Sequence, residues 1–293
     1  MKKINFLLTI TILLASCSNG SAPTQINSVT DEPIQTSIAT GSTAEAVTAS
    51  PTTPASTATP KPPLEKDAWM QMPVVPVGVS DSMREVYQRG IESGNDPTHF
   101  SIIGDCQNVS SYFLSVFDQP GEFSLGSEYG YLQPTIDYYQ GSYSRVSLAV
   151  KGGFNAAAVL SPLRADPKSC NAGESPLDCE LRTWRPSVVF VSMETWWSHK
   201  PAEEYDKYMR KVLDRIIEFG AVPIIATKAD NLEGDNSINA TVAQIAYDYE
   251  IPLWNYWAAV QPLPRHGLSP DGFHLTFARN FFDDPQRMKF AKR

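Results

Sequence analysis

The second half of this chain restricts its fold most, because short unbroken apolar runs alternate there with longer segments of helical period. Ser187-Val188-Val189-Phe190-Val191-Ser192 has no polar residue between its ends, the pattern of a strand covered on both faces. After Pro201 the apolar positions become Tyr205, Tyr208, Met209, Val212, Leu213, Ile216 and Ile217, one face of a helix. Glu203 and Glu204 sit in its first turn and Gly220 follows its last. Val222 to Thr227 reads as a strand, Ile238, Val242, Ile245, Ala246 and Tyr249 as a helix, and Pro252 to Trp257 as a last strand. This rhythm demands crossover connections, so the strands run parallel under helices on both faces. The expected fold class is α/β, a three-layer α/β/α sandwich with a parallel, flavodoxin-like sheet.

Upstream, a strand at Ser101 to Ile103 stops at Gly104-Asp105-Cys106-Gln107. In open parallel sheets ligands bind beyond the carboxyl ends of strands, so Cys106 stands where chemistry is possible. Free cysteines often pack as small hydrophobes. This one has a prospective base in Asp271-Gly272-Phe273-His274, an imidazole with an orienting carboxylate three residues before it. Val109 to Phe117 reads as a helix whose amino end favours a thiolate. Arg145 to Val150 reads as the second strand, running through Lys151-Gly152-Gly153 into a small-residue helix, Ala156 to Leu160. An entry helix covers Ser82 to Gly90, and Tyr131, Tyr138 and Tyr139 lie in an aromatic stretch suited to a core or a sugar site.

With these residues in view, the chain resembles the SGNH (GDSL-type) hydrolases over residues 98 to 276. Gly104-Asp105-Cys106 is similar to their first block, with cysteine in place of serine, and Asp271 with His274 to their last. The resemblance implies an SGNH hydrolase fold and acyl-ester chemistry, with Cys106 as nucleophile, His274 as base and Asp271 orienting it. Asp105 is grouped with the binding residues. Gly152 or Gly153 matches the family's backbone donor to an oxyanion, a role that suits glycine because it admits close approach; a plain tight turn explains the pair equally well. In the third block Glu194 stands for the usual glycine and Trp196 for the usual asparagine. Trp196 keeps one N–H donor.

Composition divides the 293 residues sharply. Residues 1–17 combine Met1-Lys2-Lys3 with the apolar run Ile4 to Leu14 and a lipobox-like Leu14-Ala15-Ser16-Cys17, an export signal in which Cys17 becomes the lipidated first residue. Residues 18–66 are rich in Ser, Thr, Ala and Pro without apolar period, an expected disordered stalk. Residues 67–293 form the expected domain. A net charge of −8 and the lack of a Lys/Arg run exclude a nucleic-acid binder. Outside the cytoplasm cysteines pair, and Cys170 and Cys179 flank a polar turn that can close as a disulfide, leaving Cys106 as the odd thiol. Only four histidines occur, without HxxxH or CxxC spacing, so no metal or other cofactor is expected. After His274 the chain is shorter than the closing helix of family members, so exposed apolar surface is expected there.

Two functions remain open. One is a lipid-anchored, extracytoplasmic esterase or acyl transferase acting on acetyl or other short acyl esters of glycans or lipids. The other is an inactive relative that binds glycan through Trp196, Trp197, Tyr131 and Trp257.

Overall fold

The computed structural model describes residues 61–193 and 200–276. Strands β1 (Asp96–Gly104), β2 (Pro186–Ser192), β3 (Val222–Ala226) and β4 (Leu253–Trp254) hydrogen-bond in that order, all parallel. Successive side chains leave a strand on opposite faces. Ile103, Val189, Val191 and Ile225 therefore share one face, by register, and join the aliphatic core with helices α3 (Pro176–Trp184), α4 (Pro201–Phe219) and α5 (Ser237–Tyr249). Phe100, Ile102, Val188 and Phe190 share the other, beneath Phe113, Leu114, Phe117 and Tyr143 and the short helix α2 (Gln133–Tyr138). That face is held by edge-on rings: Phe100 stands 5.0 Å from Tyr143 and 5.5 Å from Phe190 between centroids. The class is α/β, a sheet with a helical layer on one face and an aromatic layer on the other.

Helix α1 (Asp81–Glu92) is capped by Ser80, whose hydroxyl accepts the Met83 N–H, and contacts β2 and β3. Its Gly90 meets Gly220, the left-handed residue that ends α4; a Cβ on Gly90 would lie 1.9 Å from the Gly220 carbonyl oxygen. Residues 61–66, which composition puts in the stalk, already run along the domain. Lys61 pairs with Glu250, and the Leu64 N–H donates to Gln244 Oε1 at 3.0 Å.

Four expectations are corrected. Arg145 to Val150 is no strand but a single parallel bridge, Val150 to Gly104, on the outer edge of β1. The Ser147 hydroxyl and carbonyl accept the Ala149 and Val150 N–H groups, curling the segment away from the ladder. Its place beside β1, with later strands stepping off on the other side, still follows flavodoxin-like order. Val109 to Phe117 is not an α-helix: after a 3₁₀ turn at Cys106–Asn108 the chain irregularly lowers Phe113 and Phe117 onto the sheet, with Leu114 left-handed. Ala156 to Leu160 forms turns in place of a helix. The last strand stops after Trp254 because buried Asn255 caps α6 (Tyr256–Val260), accepting the Ala258 N–H and donating to the carbonyls of Trp69 and Met72. Helix α3 was not anticipated. Among the described residues no helix is long and apolar enough to cross a membrane.

Candidate functional site

The site grows from the carboxyl end of β1. Gly104 leaves room for Asn108, whose Oδ1 would lie 2.3 Å from any Cβ at that position and accepts the Asp105 N–H at 3.2 Å. Asp105 Oδ1 in turn accepts the Gln107 N–H at 2.9 Å. This reciprocal cap closes a three-residue turn with both polar side chains buried, and the Cys106 side chain is left part-exposed at its tip. The Gly104 carbonyl accepts the Lys151 N–H, bringing Gly152 alongside: a Cβ built there would stand 3.8 Å from Cys106 Cβ. Gly153, at φ +81°, only turns the chain and faces open space.

The partner residues come from a hairpin at 267–276. The Thr276 N–H donates to the Gly267 carbonyl at 2.7 Å and the Ser269 N–H to the His274 carbonyl at 2.8 Å. Asp271 Oδ1 accepts the Ser269 hydroxyl at 2.6 Å and the N–H groups of Phe273 and His274 at 3.0 Å each. Its Oδ2 lies 2.7 Å from His274 Nδ1. Stabilised by the Ser269 hydroxyl first and the imidazole next, this carboxyl is held well below the usual carboxylate range. With Nδ1–H donating to Asp271, the Nε2 lone pair faces Cys106 Sγ at 3.8 Å. Beside that contact, Gln107 Oε1 accepts the Leu275 N–H at 3.2 Å.

Burial pushes the Cys106 thiol above its ordinary value, and the Asp105 charge adds to the rise; the N–H groups of Cys106 and Gln107 oppose it more weakly. The expected pull of a long helix toward thiolate is thus missing, since Cys106 stands in a three-residue turn and the segment Val109 to Phe117 that follows is not helical. Burial likewise raises Asp105, assisted by Asp230. Asp230 belongs to an ionic group that the sequence presents as a polar loop: Lys228 Nζ donates to Asp230 at 2.7 Å and to Glu233, all three side chains nearly sealed. Asn239 brackets the Lys228 backbone.

Other predicted residues lie apart from this centre. Cys170 and Cys179 form a disulfide, with Glu174 nearby; among the described residues this is the one grouping with metal-ligand spacing, and its sulfurs are tied to each other. Trp257 packs edge-on against Trp69, 4.9 Å between centroids, as part of the core. Tyr139 lies on Phe100, whereas Tyr131 and Tyr138 are exposed. Cys17, Glu194, Trp196 and Trp197 lie outside the described residues. A cavity of about 150 Å³ opens along the free edge of β1 between Ile102, Asn108, Val146, Val150 and Arg145. Missed at sequence level was Glu180, fully buried, which accepts from Arg145, the Ser101 hydroxyl and the Leu148 N–H and pins the outer segment to β1.

No family model and no curated relative matches the chain. Among solved structures, the crystal structure of TesA aligns with a TM-score of 0.39 and 13% identity, covering 66% of this chain and 96% of that one.

Proposed function

We propose that the protein is an acyl-ester hydrolase or acyl transferase working through Cys106, His274 and Asp271. The observation that carries this reading is the relay in which Asp271 meets Nδ1 at 2.7 Å and the opposite ring nitrogen meets the only unpaired thiol among the described residues at 3.8 Å. Burial pushes the thiol up, so in this reading attack and deprotonation go together. The sulfur bonds to the ester carbonyl carbon as its proton passes to Nε2, leaving negative charge on the former carbonyl oxygen. Among the described residues, the backbone N–H groups of Cys106 and Gly152 are the candidates to receive that charge. Collapse expels the alkoxide, which takes the proton from Nε2, and a thioester remains. Water attacks it with Nε2 again as base, releasing the carboxylic acid and restoring the thiol; an acceptor hydroxyl in place of water gives transfer.

The substrates we propose are acetyl or other short acyl esters on extracellular glycans or lipids, reached from a membrane tether at Cys17. The lipobox-like stretch and the stalk composition support the tether, and detergent-phase partitioning lost in Cys17→Ala tests it. For catalysis, p-nitrophenol release from short p-nitrophenyl esters is expected from the intact chain and lost in Cys106→Ala and His274→Ala. Unchanged release from Cys106→Ala sinks the assignment. Glycan binding indifferent to His274→Ala, without ester cleavage, would favour the binding module instead.

A further inference from the structure

The nucleophile and the base belong to two separately built pieces, 168 residues apart in the chain. The turn carrying Cys106 is fixed by Gly104, Asp105 and Asn108, and the hairpin carrying His274 by its own backbone pairs and Asp271. Each piece keeps its shape if the hairpin shifts as a body. What such a shift would change is the distance from sulfur to nitrogen, already long at 3.8 Å. Gln107 and Leu275 are the immediate neighbours of Cys106 and His274, and their side-chain-to-backbone bond joins the same two pieces as the reacting contact, one residue along on each side.

We propose that Gln107 is a positioning residue: its amide oxygen latches the hairpin to the sheet and thereby sets the approach of His274 to Cys106. The proposal rests on the reading of those two as base and nucleophile. It predicts that the bond matters and that mere bulk at position 107 does not. Gln107→Met keeps an unbranched chain of similar length and removes the amide acceptor; Gln107→Glu keeps an acceptor oxygen.

The test follows three quantities in the full chain: amide exchange of Leu275, the pH profile of Cys106 alkylation by iodoacetamide, and kinetics on p-nitrophenyl acetate. In Gln107→Met the Leu275 amide should exchange roughly fivefold to tenfold faster, as expected for one lost hydrogen bond. The alkylation profile should lose the step that also disappears in His274→Ala. The value of kcat should fall roughly tenfold to a hundredfold with KM near that of the wild type, since misplacement of about 1 Å has costs of that order. Gln107→Glu should restore the exchange protection and the step, which a purely space-filling role would not do. Wild-type exchange and alkylation in Gln107→Met overturn the latch. A wild-type alkylation profile indifferent to His274→Ala overturns the catalytic reading separately, and the latch is then judged on Leu275 exchange alone.

Discussion

The two halves of the site are held in opposite ways. The Cys106 turn is anchored to the sheet from beneath, with Asp105 and Asn108 at 5% and 4% exposure and their hydrogen bonds shielded from water. In the hairpin, the side chains of His274 and Asp271 are about half exposed (53% and 51%), and their bonds compete with solvent. Shielded polar contacts are costly to break, while exposed ones contribute little to stability and can still orient a ring. Cys106 is therefore placed by the fold and His274 by a local loop. Damage to the first should appear in stability and activity together, damage to the second in activity alone.

Several substitutions can break or sharpen that contrast. Asp271→Asn carries the largest expected effect, a loss of roughly 10²–10⁴ in kcat, as when a base loses its charged orienter. Its melting temperature at neutral pH should stay near that of the wild type, because the residue is exposed. Melting curves and steady-state rates measured together check both halves of this expectation, and an unfolded variant would contradict the hairpin's independence. Gly104→Ala should do the reverse: overpacking against Asn108 destabilises by about 1–3 kcal/mol, read by denaturant unfolding, with activity falling alongside.

Asp105→Asn keeps the oxygen that caps Gln107 and removes the charge beside the thiol, so the midpoint of Cys106 alkylation should move to lower pH. The same variant tests linkage. A carboxyl whose folded pKa is raised costs stability as pH climbs from the ordinary carboxylate value through the raised one. The variant's melting advantage should therefore grow across that window and level off above it. For Asp271 the sign is opposite. Its depressed folded value contributes only a small, solvent-screened stability above the ordinary carboxylate range, lost progressively as pH falls from there to the depressed value. Ser269→Ala, the mildest change, removes the strongest of that carboxyl's partners, so the acid end of its titration should shift upward, measurable by NMR, with rates reduced roughly twofold to fivefold.

What the sequence revealed follows the same division between collective and particular interactions. Strand β2 and helices α4 and α5 were legible because burial on a whole face imposes period on many residues at once. That Cys106, Asp271 and His274 come together was legible because a thiol, an imidazole and a carboxylate in this arrangement form a recognisable set of residue types. Val109 to Phe117 misled because its apolar spacing also serves a chain draped over a sheet, and its serines and β-branched residues do little to hold a helix. Helix α3 hid because its first turns run through the stretch between the paired cysteines and take in Cys179, although Ser175, Pro176 and Asp178 form a legible start: Ser175 accepts the Asp178 N–H at 3.1 Å. The burial of Lys228, Asp230, Glu233 and Glu180 was not legible, because a charged residue in a polar loop carries no local mark of burial and the partner of Glu180, Arg145, lies 35 residues away.

The contact between Gly90 and Gly220 bears on how the protein can be handled at the bench. A clone trimmed to start at β1 would strip a backbone neighbour from the end of α4 and bare apolar surface around Val222. The same reasoning extends upstream: Trp69 lies in the core and Asn255 donates to the carbonyls of Trp69 and Met72, so a clone should keep the chain from Lys61 onward.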